Sequence, residues 1–254
     1  FQSARDGALH AEILWTVVTR LLPSGALVSA WTSWRDVVRV AAMHGATQAQ
    51  FTLPDSTSIE YVYRLPTTPA KGLVLLFHGC RQSPRVWFAP SPNCTACLPR
   101  PEERCMADRL FAAGYALLAA GNRKGPKGCW ETNDVETVTA LLHAWRRKHV
   151  RSSTPLFLNG PSSGGFFATE AARHWREVRG LSVQISVPTL DQVRPPLPSR
   201  AASYPPLQLI LCQRDSGKWK DAEALKAVLP PFELLNVLPK RVDDTFFSAA
   251  IPGL

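Results

Sequence analysis

Three short apolar runs, Leu73–Phe77, Tyr115–Ala120 and Leu156–Asn159, alternate with stretches whose apolar residues recur every three to four positions. This alternation constrains the chain more than any other feature. A strand buried on both faces has no polar side to alternate with, so it reads as a continuous apolar run. Parallel neighbours need a long crossover between them, usually a helix. The pattern therefore predicts an α/β fold: a mainly parallel sheet with helices on both faces.

The helices between the runs carry their own start and stop signals. Pro101-Glu102-Glu103 opens one, since proline fits the first turn and carboxylates favour the positive end of the dipole; Gly114 closes it. Asn133 with Glu136 reads as a capping box, followed by a face of Val135, Val138, Leu142 and Trp145. A helix is expected from Gly164 onward and another over Asp221–Val228. Phe51–Leu53 and Ile59–Leu65 alternate as antiparallel strands do. Leu181–Val187, Leu207–Cys212 and Phe232–Leu238 are the remaining strand candidates. Proline is 22 of 254 residues. Its densest stretch, Pro195-Pro196-Leu197-Pro198 with Pro205-Pro206, reads as a stiff excursion beside a substrate cleft.

Residues 1–50 are expected to form an N-terminal helical extension, and 51–254 the α/β domain, either whole or lacking its C-terminal part. Leu9, Ile13, Val17 and Leu21 share one face of a helix over 7–22, ended by Pro23-Ser24-Gly25. Ser33 caps a second helix, with Trp34, Val37, Val38 and Ala41 on one face and Gly45 at its end. Packing onto the core and a peripheral membrane contact by the first helix are both open. The chain begins at Phe1, so a targeting segment is expected to have been removed or cropped.

Apolar residues are 45% and charged residues 19% of the chain, which excludes a disordered tail, and no apolar run is long enough to cross a membrane. The net charge is +9, but no block of five basic residues occurs, so nucleic acid is not an expected partner. Arg146-Arg147-Lys148 reads as a helix end whose cations meet the dipole, with an acidic contact as the rival reading. Arg123, Lys124 and Lys127 form a basic loop after a predicted parallel strand, at the edge where such sheets bind ligands. It reads as a solvated loop or a grip for an anionic substrate group.

Six cysteines, Cys80, Cys94, Cys97, Cys105, Cys129 and Cys212, allow up to three bridges in 15 pairings. With the sequon Asn93-Cys94-Thr95, they point to an oxidising, secretory or extracellular compartment, or an organelle lumen. Cys94-x-x-Cys97 lacks the second ligand pair that zinc requires, so no metal is expected. No organic cofactor is expected either.

The sharpest motif is Gly160-Pro161-Ser162-Ser163-Gly164-Gly165. It sets G-x-S-x-G directly between a strand and a helix, the context of a strained nucleophile-bearing turn. Ser162 fits both glycines; Ser163 is the rival in a shifted register. His78-Gly79-Cys80 ends the first buried run. There the backbone N–H of Cys80, with that of Ser163, can form an oxyanion hole. The His78 side chain itself reads as a hydrogen-bonded structural histidine.

These pieces resemble the α/β-hydrolase superfamily. More narrowly, the chain resembles a group of plant and algal α/β-hydrolase-like proteins. The matching pieces are Leu76-Phe-His-Gly-Cys80, Cys94-x-x-Cys97, the Pro101-Glu-Glu helix, Gly128-Cys129-Trp130, the Gly160 motif, and Phe246-Phe247 before Ile251-Pro-Gly; the Gly160 motif marks the superfamily, and the cysteine spacing points to the narrower group. The resemblance implies a serine-hydrolase scaffold. In the superfamily order, an acid and then a histidine follow the serine. Asp215 follows Leu207–Cys212, where the acid is expected, and also reads as a turn residue; Asp221 and Asp191 are less well placed. The histidines are His10, His44, His78, His143, His149 and His174, all before Asp215. The base is then a histidine beyond Leu254, or His10 or His44, or it is absent. Two functions follow. One is an esterase acting on a small carboxylic ester; the other is an inactive relative that binds protein partners in an assembly.

Overall fold

A computed structural model describes residues 45–193, 204–212, 214–229 and 232–237. The helices expected at 7–22 and after Ser33, the Pro195–Pro198 stretch and the Phe246–Gly253 motif lie outside the described residues. Eight strands form one sheet: β1 (Thr47–Thr52), β2 (Ser58–Arg64), β3 (Leu73–Phe77), β4 (Ala116–Ala120), β5 (Leu156–Pro161), β6 (Val178–Gln184), β7 (Leu207–Leu211) and β8 (Phe232–Asn236). Their order is β1-β2-β4-β3-β5-β6-β7-β8. β2 runs antiparallel to both its neighbours, and all other pairings are parallel.

The helices are α1 (Pro101–Ala112), α2 (Asp134–His149), α3 (Ser163–His174), a single turn α4 (Leu190–Val193) and α5 (Ser216–Leu225). They cover both faces, as the apolar runs require. Leu73, Leu75 and Phe77 of β3 point to one core with Val138 and Leu142 of α2, Phe167 and Ala171 of α3, and Leu225 of α5. Val74 and Leu76 point the other way, to Trp87 and to Leu110 and Phe111 of α1. The period of two along each strand thus feeds two apolar layers. Arg64 ties the antiparallel edge to α1. Its guanidinium lies 2.9 Å from the Asp108 carboxylate and 3.7 Å from the centre of the Phe111 ring.

Four elements differ from the sequence expectation. β1 begins at Thr47, four residues before the expected strand, and β6 begins at Val178 rather than Leu181. α5 starts at Ser216, not Asp221. The capping box does not form: Asn133 is itself in a helical conformation and its side chain caps nothing. Instead the Asp134 carboxylate accepts the N–H groups of Glu131 and Arg123, at 2.8 and 2.9 Å. Burial raises the Asp134 pKa, and these two N–H bonds oppose that rise. Among the described residues, no helix is long and apolar enough to cross a membrane.

Candidate active site at the carboxyl edge of the sheet

β5 ends at Pro161 and α3 begins at Ser163, so Ser162 alone makes the turn. Its φ is 53° and ψ −122°, a conformation that side-chain-bearing residues rarely adopt and that costs on the order of 1–3 kcal/mol. Two hydrogen bonds hold it there. Its N–H donates to the Gln184 carbonyl at 2.8 Å, and its carbonyl accepts from Phe166 N–H at 3.0 Å.

The glycines around it are required by contact. A Cβ on Gly160 would lie 2.6 Å from the Gly164 carbonyl carbon, and one on Gly165 would lie 2.6 Å from Val183. On Gly164 it would sit 2.2 Å from the Phe77 carbonyl oxygen. The end of β3 therefore lies directly against the first turn of α3. Ser163, the rival nucleophile, is the first residue of that helix, and its Oγ is enclosed with no hydrogen-bond partner.

The same contact brings the His78-Gly79-Cys80 loop beside the serine turn, because β3 and β5 are neighbours. This loop is fastened on its far side to the loop after β4. Cys80 is bonded to Cys129, Arg81 N–H donates to the Gly128 carbonyl at 3.0 Å, and Trp130 Nε1 donates to the His78 carbonyl at 2.8 Å. The backbone donors expected at Cys80 and Ser163 thus follow adjacent strands, β3 and β5, at one edge of the sheet. The His78 ring is fully buried; its Nδ1 is 2.8 Å from the Gly79 carbonyl and its Nε2 has no partner. Burial pushes its pKa down to about 4.

Asp215 follows β7, two strands from β5, on the same edge of the sheet. It is exposed and serves as the N-cap of α5, its carboxylate accepting the Lys218 N–H at 3.3 Å. Asp191 and Asp221 are also exposed, on α4 and within α5. The other three described histidines belong elsewhere, and His143 is exposed on α2. α2 and α3 run back toward the opposite edge, and their last residues are His149 and His174. His149 packs on Tyr63 and Trp145, and His174 lies 3.3 Å from Glu170. His10 and His44 lie outside the described residues.

The basic loop falls at the carboxyl end of β4, with a short turn at Gly125–Lys127. Arg123 pairs with Asp55 at 3.4 Å, and Lys124 pairs with Glu131. Just past the end of α2, Arg146 donates to the carbonyls of Ser152 and Thr154, at 2.8 and 3.0 Å, and pairs with Glu177 at 3.8 Å. Cys94 is bonded to Cys97, while Cys105 and Cys212 are unpaired. Among the described residues, no three His, Cys, Asp or Glu side chains converge as a metal site would need. One feature of the edge has no sequence signal. Ile185, directly after Gln184, is β-branched, 61% exposed and held at φ 50°. An apolar, strained side chain thus stands next to the residue that anchors Ser162.

No protein-family model matches the chain, and no curated protein matches it. Solved structures do. The acylaminoacyl peptidase of Pyrococcus horikoshii superposes with a TM-score of 0.54 at 12% identity, over 83% of this chain and 38% of that one. The chain thus spans well under half of that peptidase. Dienelactone hydrolase from Anabaena variabilis gives 0.52 at 18% identity, over 80% of this chain and 93% of that one. A thermostable esterase gives 0.53 at 12%, over 77% and 55%. The fold is therefore that of the α/β hydrolases. Within it, a strained serine turn stands between β5 and α3, where the G-x-S-x-G spacing places it.

Proposed function

We propose that the chain is a serine hydrolase of carboxylic esters, with Ser162 as its nucleophile. The observation that carries this reading is the Ser162 backbone, held at φ 53° by three glycines packed against neighbouring backbone and side chains. Such strain persists where surrounding structure over-determines it, and it projects the hydroxyl from the turn. In this reading Ser162 Oγ attacks the ester carbonyl, and the Cys80 and Ser163 N–H groups receive the oxyanion. Asp215 orients a histidine that accepts the serine proton and returns it to the leaving alcohol. No metal or organic cofactor takes part. The plant and algal likeness is part of the proposal, supported by the cysteine spacing. A secretory-type compartment is supported by the two disulfides and by the exposed Asn93 of the sequon.

One observation favours a second reading. Asp215 caps its own helix, and the described His149 and His174 end helices that run to the opposite edge. A scaffold without a base would bind partners rather than turn over esters. A fluorophosphonate probe separates the two. Covalent labelling of the full-length protein, lost in Ser162→Ala and retained in Ser163→Ala, supports the hydrolase. An unlabelled, folded wild-type protein overturns it in favour of the binding reading.

A further inference from the structure

The net charge of +9 is unevenly placed, and the crossover helices sort it by edge. α1, α2, α3 and α5 all start at the carboxyl edge of the sheet, where Ser162 stands, and end at the opposite, amino edge. Carboxylates favour helix starts and cations favour helix ends, so parallel crossovers add up to a charge difference between the two edges. We infer that the amino edge is the face by which the protein lies on an anionic lipid bilayer.

Five exposed cations stand at this edge. Arg147 and Lys148 close α2, Arg151 lies in the loop into β5, Lys71 precedes β3, and Arg179 is the second residue of β6. None of the five pairs with a described carboxylate. The carboxylates nearby are mostly taken: Asp108, Glu170 and Glu177 pair with Arg64, Arg173 and Arg146, and Glu233 accepts from Gln208. The helix dipole does not account for Lys71, Arg151 and Arg179, which lie outside the helices. Arg179 is set by a bulge. Leu156 pairs with Val178 and Phe157 with Gly180, so Arg179 is an extra residue that β5 does not oppose. Its neighbours Val178 and Gly180 are buried while it is exposed. Bulges re-aim a side chain and are rare between parallel strands. This one turns a guanidinium out of a strand that is otherwise buried.

The character of the edge selects the partner. Protein interfaces centre on apolar or aromatic anchors. Among the described residues the exposed large apolar side chains are Leu98, Ile185 and Val237, and all lie elsewhere: one before α1 starts, two past the carboxyl ends of β6 and β8. A nucleic-acid strand needs open rings on which its bases stack. The rings at this edge, Tyr63, Trp145 and His149, pack on one another instead. What is left is charge spread across the starts of three neighbouring strands, β3, β5 and β6, and over the end of α2. A layer of lipid phosphates attracts each Lys or Arg near it without demanding a fixed geometry. The exposed Asp55, Asp191 and Asp215 stand at the other edge, so the same field orients the molecule with its serine turn toward water. The inference does not depend on Ser162 being a nucleophile.

The test is sedimentation of the full chain with phosphatidylcholine vesicles, with and without phosphatidylserine, over a range of salt. The expected result is binding to the phosphatidylserine vesicles alone, weakening as salt rises. Arg151→Gln with Arg179→Gln lowers the partition about thirtyfold, the equivalent of about 1 kcal/mol per cation. Arg147→Gln with Lys148→Gln gives a similar loss, so the outcome does not rest on the bulge tolerating a substitution. Lys218→Gln with Lys220→Gln, in the first half of α5, removes the same charge from the carboxyl side and lowers the partition less than about threefold. Circular dichroism checks the fold of each variant. Equal binding to both kinds of vesicle, or to neither, overturns the inference. So do equal losses in the variants of the two edges, which would show net charge alone at work. Poly-glutamate held at salt concentrations that release the vesicles overturns it in favour of an acidic protein partner.

Discussion

At His78 a single buried nitrogen sets a measurable property of the fold. An exposed histidine titrates near 6.5, and here burial lowers that to about 4. Between those values the unfolded chain binds a proton that the folded chain refuses, so stability falls as pH falls. The contribution is complete above pH 6.5, declines through the window and levels below pH 4. Two and a half pKa units correspond to about 3 kcal/mol. Urea midpoints at pH 7, 5.5 and 4 are expected to show His78→Gln narrowing its deficit against wild type as pH drops; parallel curves would contradict this. The role of His78 as a structural residue was legible from its place after an apolar run. Its unmet Nε2 was not, because the surroundings that bury the ring come from parts of the chain remote in sequence, Trp130 among them. Ser162 was legible for the opposite reason: everything that strains it lies within the six-residue Gly160–Gly165 motif, apart from Gln184, Val183 and the end of β3. Ile185 carries a similar strain with no motif around it, and only the structure reveals it.

Elements were legible where one force dominated. β3, β4 and β5 are buried on both faces, so composition alone marks them. β1 is a half-exposed edge strand, Thr-Gln-Ala-Gln-Phe-Thr, whose pairing with β2 overrides a weak apolar pattern. β6 starts early because Val178 is buried beside β5 while Arg179 is exposed, so the ladder outruns the apolar run. The α2 start misled because Asp134 bonds back to the N–H groups of Glu131 and Arg123, ahead of the helix, while Asn133 makes no cap. The most exacting joint between elements is that of β3 with α3. Gly164→Ala places a methyl where the Phe77 carbonyl oxygen already is, so one element must move. A loss on the order of 3 kcal/mol is expected, at the upper end for overpacking. Probe labelling of Ser162 should fall with it, since the serine turn and the Cys80 loop would separate. An alanine variant with wild-type stability and labelling would show that this joint is looser than described.

Across the whole molecule, two disulfides act at different ranges. Cys80–Cys129 spans 49 residues and joins the loops after β3 and β4, whereas Cys94–Cys97 spans three. Loop-closure entropy makes the first worth about 4 kcal/mol and the second about 2 kcal/mol. Denaturant unfolding of the double serine variant of each pair should reproduce that ranking, and the reverse order would refute it. Neither pairing could be chosen from the cysteine count, because Cys80 meets Cys129 only once β4 lies beside β3. That dependence also sets a timetable for a growing chain. Phe77 emerges long before Gly164, roughly 5–15 seconds earlier at ordinary synthesis rates. In the interval Cys80 waits for Cys129, and Cys94 and Cys97 emerge first. Their short ring can close locally, which leaves Cys105 as the remaining rival among the described cysteines made before Cys129. In the order of synthesis, the serine turn is thus set against a strand that was made well before it.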